Sequence, residues 1–566
     1  MLEKTACTHR SLVFLSHFDY NERRYFTGFS TDYSMPRHPV YLVASGDFRP
    51  AALEASWTEQ AAMEEQLIAA IQKLGRKVVR AHNYDPVRKH GFLASQREGL
   101  DVLAKIPAEA PIVVAESVWQ FSHHVYPGLL LHRGPILTVG NWSPTWPGLV
   151  GLLNLNGCLI KAKREFSTLW SENFTDNWFL TRLEKWLTTG NVRHENRHVR
   201  PMAKLDISEN DKKLGRKLAT ELRESKPIMG IFDEGCMGMY NAIIQDELLF
   251  SFGIFKERFS QSQLFHDTMR VSDTEAHAVY DWLKRKGMTF HYGHDPAREL
   301  TEEHVLIQCK MYIAAVRTAA RFGCAMIGIQ YQLGLTDVLP ASDLVEGILN
   351  NADRPPVRDE KGHVLFEGKP VIHFNEVDEG SALDALLTNR AAAALGQPVE
   401  TTLHDVRWGA TDPTGTVDGF VWLLMISGAV PPAHLEGGWA GSHAYRQSPV
   451  FFKKGGATLA GTGRPGEIVW SRICVVGNKL RMDIGRGRVV TLPEAETRRR
   501  ANLANPEWPV VNTILDGMTR DQFMGRHPAN HIQIVYANSA NEANRLLAVK
   551  ATMAEELGID VFVCGV

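Results

Sequence analysis

Short apolar strands alternate with helical stretches along the first two thirds of the chain. "KVVRAH", "APIVVAES" and "GPILTVGNW" each carry a brief run of branched or bulky apolar residues bounded by turn formers. Between the first two lies "DPVRKHGFLASQREGLDVLAKI", which reads as helix. After the third, Pro-containing turns lead into the apolar "GLVGLLNLNGCLI". Such alternation predicts parallel sheets with helices on both faces. A polar stretch, "ENRHVRPMAKLDISENDKKLGRKLATELRES", then turns helical and reads as a linker helix between domains.

A second α/β unit opens at "PIMGIF", a strand followed by a turn loosened by Gly235 and Gly238 and then an apolar helix. "SDTEAHAVYDWLKRKG" carries a Ser272–Glu275 capping box. "TEEHVLIQCKMYIAAVRTAARFG" is a clear helix stopped by Gly323, and "CAMIGIQYQLGLTD" follows as strand and loop. The last third changes character. "GFVWLLMISGAV", "EIVWSRICVVGNKLRMDIGRGRVVTLP" and "NHIQIVYANS" read as β, with "KLRMDIGRGRVV" as a hairpin. The expected fold is α/β: two Rossmann-like parallel-sheet domains, then a β-rich C-terminal domain with an antiparallel sheet or small barrel. The expected boundaries are 1–224, 225–395 and 396–566.

A chain of 566 residues exceeds what one core supports, which agrees with several domains. Its net charge of −2 provides no field to recruit nucleic acid or an anionic membrane. The N-terminus lacks a long apolar run, and "GFVWLLMISGAVPP" is too short to span a bilayer. Seven scattered cysteines with no CxxC fit reduced thiols. A cytoplasmic protein is therefore expected, with neither nucleic acid nor membrane as partner.

No P-loop, strand-borne GxGxxG or GxSxG elbow is present. Three residues stand out instead, each expected at a strand terminus. Glu376 ends "PVIHF", Asp405 lies in "TTLHDVRWGA", and His531 opens a strand in "HPANHIQIVYA". Two hard carboxylates and an imidazole suit a divalent ion such as Mn2+. Other readings stay open. An acid after a strand also serves a solvated loop or a helix N-cap. Asp405 has Arg407 two residues on as an ion-pair partner, and His531 could donate to a backbone carbonyl. Spacing alone does not bring the three together.

The contexts "HFNEVDEG", "LHDVR" and "PANHI" occur in the order of three short motifs of the L-fucose isomerase family, which this chain resembles from about residue 225 onward. The resemblance implies a metal-dependent aldose–ketose isomerase working through an enediol on L-fucose, D-arabinose or a related monosaccharide. It implies Glu376, Asp405 and His531 as ligands of Mn2+, or of Co2+ or Mg2+, with Glu376 and Asp405 also as the acid/base pair. By the same resemblance Arg49, Trp119, Gln330, Trp508 and Asn530 become substrate contacts. It further implies a homo-hexamer in which Arg49 and Trp119 complete a neighbour's site.

The remaining acids, Asp378 and Glu379, read as the start of the helix "SALDALLTNRAAAALG". The first 40 or so residues and the "GGWAGSHAYRQSPVFFKKGGATLAGTG" region depart from the family. There, His434, Trp439, His443, Arg446, Lys453 and Lys454 suggest a cationic sugar-end loop for an anionic hexose such as sulfoquinovose. Two further alternatives are a non-catalytic sugar binder and a metal-dependent hydrolase.

Overall fold

The structure, a computed structural model, describes residues 38–204 and 206–565. The N-terminal stretch discussed above, including Cys7, lies outside the described residues. The first sheet contains β1 (Val40–Val43), β2 (Val78–Arg80), β3 (Ile112–Glu116), β4 (Ile136–Asn141) and β5 (Ser167–Ser171). They run parallel in the order β2-β1-β3-β4-β5. The inner strands β3 and β4 are buried at every position, which is why their sequences read as apolar runs without alternation, and the edge strand β5 is buried as well. The helix expected across "DPVRKHGFLASQREGLDVLAKI" covers only Gln96–Leu103, where Ser95 caps Glu98 N. Upstream, Asp85 accepts from Val87 N and Arg88 N, which commits that backbone to a turn.

A short strand β6 (Val199–Pro201) precedes the second sheet. That sheet contains β7 (Ile228–Phe232), β8 (Phe255–Phe259), β10 (Cys324–Ile329) and β11 (Ile372–His373), parallel in the order β11-β10-β7-β8. The two-residue β9 (Thr289–Phe290) stands apart from it. Helices Asp273–Arg285, with the Ser272–Glu275 capping box, and Glu302–Arg321 cover this sheet. The long apolar helix expected after Gly235 is absent. Positive φ angles at Gly235, Met237 and Gly238 turn the chain repeatedly, and only Asp246–Phe250 is α-helical.

The third sheet contains β12 (Thr401–Thr411), β13 (Phe420–Met425), β15 (Gly466–Val476), β16 (Lys479–Val489), β17 (Val511–Leu515) and β18 (His531–Ala537). Pairing of β15 with both β18 and β16 closes the circuit β15-β18-β12-β13-β17-β16 into a six-stranded antiparallel barrel. The short β14 (His443–Ala444) pairs with β9 instead. β19 (Asp560–Cys564) adds to β16 and carries β6 on its far side. The hairpin expected within "KLRMDIGRGRVV" turns earlier, at Gly477 between β15 and β16. Gly485 stays mid-strand because a Cβ there would meet the Trp470 ring at 2.7 Å.

Contacts tie the units together. The expected linker helix, Glu209–Ser225, packs on helix Ala540–Glu556, close enough that a Cβ at Gly215 would strike Thr552 at 2.6 Å. The segment carrying Leu435, Trp439 and Phe452 packs into the core of the second sheet. Among the described residues, no helix is long and apolar enough to cross a membrane.

Candidate active site

A cavity of about 220 Å³ opens where the three units meet. The barrel contributes Asp405 and Arg407 from β12. A register shift between Val406 and Trp408 marks a β-bulge there. Asp405 therefore lies mid-strand at a bulge, and not at a strand end, a place where bulges re-aim side chains into sites. The second sheet contributes Glu376, on the turn after β11. Its φ is +55°, and that of Val377 is +53°. Left-handed backbone at two non-glycine residues, one β-branched, is strained and held by its surroundings.

His531, the first residue of β18, pairs with Asp405 in the barrel register. Its Nε2 stands 3.4 Å from Asp405 Oδ1 and 3.5 Å from Glu376 Oε2. Its Nδ1 faces Asp378 Oδ2 at 2.6 Å. Asp378 also accepts from Arg472 Nη1 at 2.6 Å and caps Ser381 N at the start of helix Glu379–Ala394. Gln332 Nε2 donates to Glu376 Oε1 at 2.9 Å. His531 and Glu376 are thus each held by a neighbour.

The charges reflect this packing. Burial, reinforced by Glu376, pushes the Asp405 carboxyl up to about 7 against His531 and Arg407. Burial opposes charge on His531, but Asp378, Glu376 and Asp405 outweigh it and raise the imidazole to about 10. Burial would also raise Asp378, yet Arg472 and His531 hold it well below the carboxylate range. Burial lowers Arg407 to about 10, so it remains cationic at neutral pH.

Several polar atoms in and under the cavity lack hydrogen-bond partners among the described residues: Trp119 Nε1, Gln332 Oε1, Asp405 Oδ1, Arg407 Nε and His531 Nε2. Buried polar groups are normally satisfied, so this set points to a polar ligand. Donor type fits a hard divalent ion: two carboxylates and an imidazole nitrogen whose other nitrogen is oriented by an acid. Spacing is another matter. Among the described residues, no group of three or more His, Cys, Asp and Glu side chains is arranged to hold a metal ion. At 3.4 and 3.5 Å the donors touch one another without good hydrogen bonds, and holding an ion would require them to adjust.

Residues 427–561 match the family model of the L-fucose isomerase C-terminal domain. That stretch is similar to the C-terminal domain of a family of sugar isomerases. His531 falls inside the matched stretch, while Glu376 and Asp405 precede it. No curated protein matches the chain.

Arg49, Trp119 and Trp508 line the cavity beside Glu376 and Asp405. Within the single chain, Arg49 and Trp119 both reach this cavity. Gln330 does not line the cavity; its Oε1 accepts from Gln332 N, and Gln332 lines the cavity instead. Asn530 lies behind the site, where its carbonyl accepts from Val406 N and its side chain meets Asn241.

Trp439 is remote from the cavity, stacked edge-on to Trp282 and donating to Asp353 O. The cations expected around it are engaged elsewhere. His434 bonds Glu400 O, His443 meets His291, Arg446 bonds three carbonyls, and Lys453 pairs with Asp337. What that region gives the cavity is aromatic: Phe451 and Phe452. The ion pair considered between Asp405 and Arg407 is absent among the described residues. Residue-level reading missed Gln332, Asp378, Arg407 and the two phenylalanines. Arg407 faces the cavity from the β-bulge, which two-residue alternation from Asp405 does not reveal.

Proposed function

We propose that this chain is a metal-dependent aldose–ketose isomerase acting on a monosaccharide through an enediol. The observation that carries the reading is the convergence of Glu376, Asp405 and His531 from three separate elements, with two of the facing atoms unpartnered. A divalent cation such as Mn2+ held by these residues would supply Lewis-acid stabilisation of negative charge on the sugar oxygens.

The chain's own residues do the rest. Glu376 and Asp405 border the same cavity, so one carboxylate can take a proton from a sugar carbon and a proton can be returned to its neighbour. Gln332 fixes the Glu376 carboxylate. Asp378 holds His531 through Nδ1 and sets the tilt of its ring. Trp119, Trp146, Phe451 and Trp508 wall the cavity and limit water. Trp508 is itself anchored by donation to Gln447 Oε1 at 2.9 Å. Turnover of D-arabinose in D2O tests the route. Solvent deuterium on the reacting carbon of the ketose is expected. Ketose formed without solvent deuterium would point to hydride transfer and contradict it.

A further inference from the structure

Arg407 is buried and faces the cavity, and among the described residues no carboxylate stands within ion-pair distance of it. Its Nη2 donates to Pro144 O at 3.0 Å and Thr145 O at 3.3 Å, both neutral carbonyls, and its Nε donates to nothing. Fixing two carbonyls needs no charge. A buried cation without a counter-ion is costly, so the charge calls for an anion that the protein does not provide.

The other cavity arginine is different. Arg49 is neutralised by Asp47 through contacts of 2.9 and 2.6 Å. Asp405 acts on Arg407 only through space, without an ion-pair contact. On the reading proposed above, on which this inference rests, Glu376 and Asp405 face a dication and their charge is met there. Arg407 sits at the β-bulge two residues past Asp405, and both line the cavity. With the reacting carbons held between Glu376 and Asp405, an anion at Arg407 belongs to another part of an open-chain sugar.

We infer that Arg407 receives an anionic substituent at the far end of the sugar, so the preferred substrate is an aldose bearing a carboxylate, phosphate or sulfonate. Guanidinium is well matched to such oxyanions. The unspent cation of the site is therefore on the barrel strand, not in the 434–454 segment.

Non-isomerisable alditols test this apart from turnover. Calorimetry of the Mn2+-supplemented protein compares sorbitol 6-phosphate and gluconate with neutral sorbitol. The two anions separate a phosphorylated from a carboxylated end group. At least one is expected to bind more than 10-fold tighter than sorbitol, and Arg407→Gln should remove about 10- to 100-fold of that affinity. Arg407→Lys, which keeps the charge, should recover part of it. Sorbitol binding as tightly as both anions would overturn the inference. So would anion binding that survives Arg407→Gln, or a loss shared equally by sorbitol. Deuterium-labelled turnover of D-arabinose with no anion preference would sink this inference and leave the isomerase reading standing. Tight anion binding without turnover of any aldose would do the reverse.

Discussion

His531 Nδ1 and Asp378 Oδ2 meet at 2.6 Å with both side chains fully out of solvent. Asp378 joins three functions at one atom group: it caps a helix, neutralises Arg472 and aims His531 at the cavity. Asp378→Asn should therefore do two things. It leaves Arg472 without its counter-ion, with a stability loss of about 3–5 kcal/mol. It also loosens His531, weakening Mn2+ binding by about 10- to 100-fold. Thermal unfolding and metal titration read the two effects separately.

Glu376→Gln and Asp405→Asn keep shape and remove the base. Each should lower kcat by about 100- to 10,000-fold, with far-ultraviolet dichroism unchanged. Retained turnover in either variant would remove that residue from the proton-transfer pair.

Gln332 and Gln330 are two residues apart but do different work. Gln332→Ala frees Glu376 Oε1 from its donor and should cost about 10-fold or more in kcat/KM, the scale of a hydrogen bond to a charged group. Gln330→Ala removes a buried side chain that orders the loop backbone. Its larger effect should be in thermal stability. Steady-state kinetics and calorimetry on both variants check the assignment.

Glu116 ends β3 fully buried with neither carboxyl oxygen partnered, and burial raises its pKa well above the ordinary value. Folded chain keeps this proton at pH values where unfolded chain has lost it. Stability is then complete below the usual Glu range and falls as pH rises, by about 1.4 kcal/mol per pH unit until the folded group ionises. Glu116→Gln removes that dependence. The stability advantage of the variant should grow between about pH 6 and about pH 8, measured by unfolding midpoints.

The parallel sheets were legible because strands buried on both faces read as apolar runs, and β3, β4 and β7 stand where those runs stand. The capping box at Ser272 was legible because it is local. Helix extent was less so: side-chain bonds from Asp85 end the helical reading before Gln96, and such competition leaves no periodic signal. Gly485 suggested a turn, but its absent side chain answers to Trp470 across the hairpin.

Within the site, local sequence identified Glu376, Asp405 and His531 only as candidates, and family resemblance joined them. Asp378 was read as a helix-start acid, and it is one. Its second role depends on Arg472 and His531, far away in sequence. Glu379 likewise has its partner, Lys256, on another strand at 2.8 Å. The choice of Gln332 over Gln330 depends on how the loop after β10 turns, which alternation alone does not fix. Cations in the 434–454 segment misled because His434, Arg446 and Lys453 are taken up by carbonyls or an acid that composition does not reveal.

The central claim is that a divalent ion at Glu376, Asp405 and His531 enables aldose–ketose isomerisation. Its most direct test is ketose formation by protein stripped with a chelator, then supplied with Mn2+, across D-arabinose, L-fucose and an anionic hexose. The account predicts no turnover after stripping and recovery with Mn2+ on at least one sugar. Ketose formation that persists undiminished in the stripped protein would contradict it.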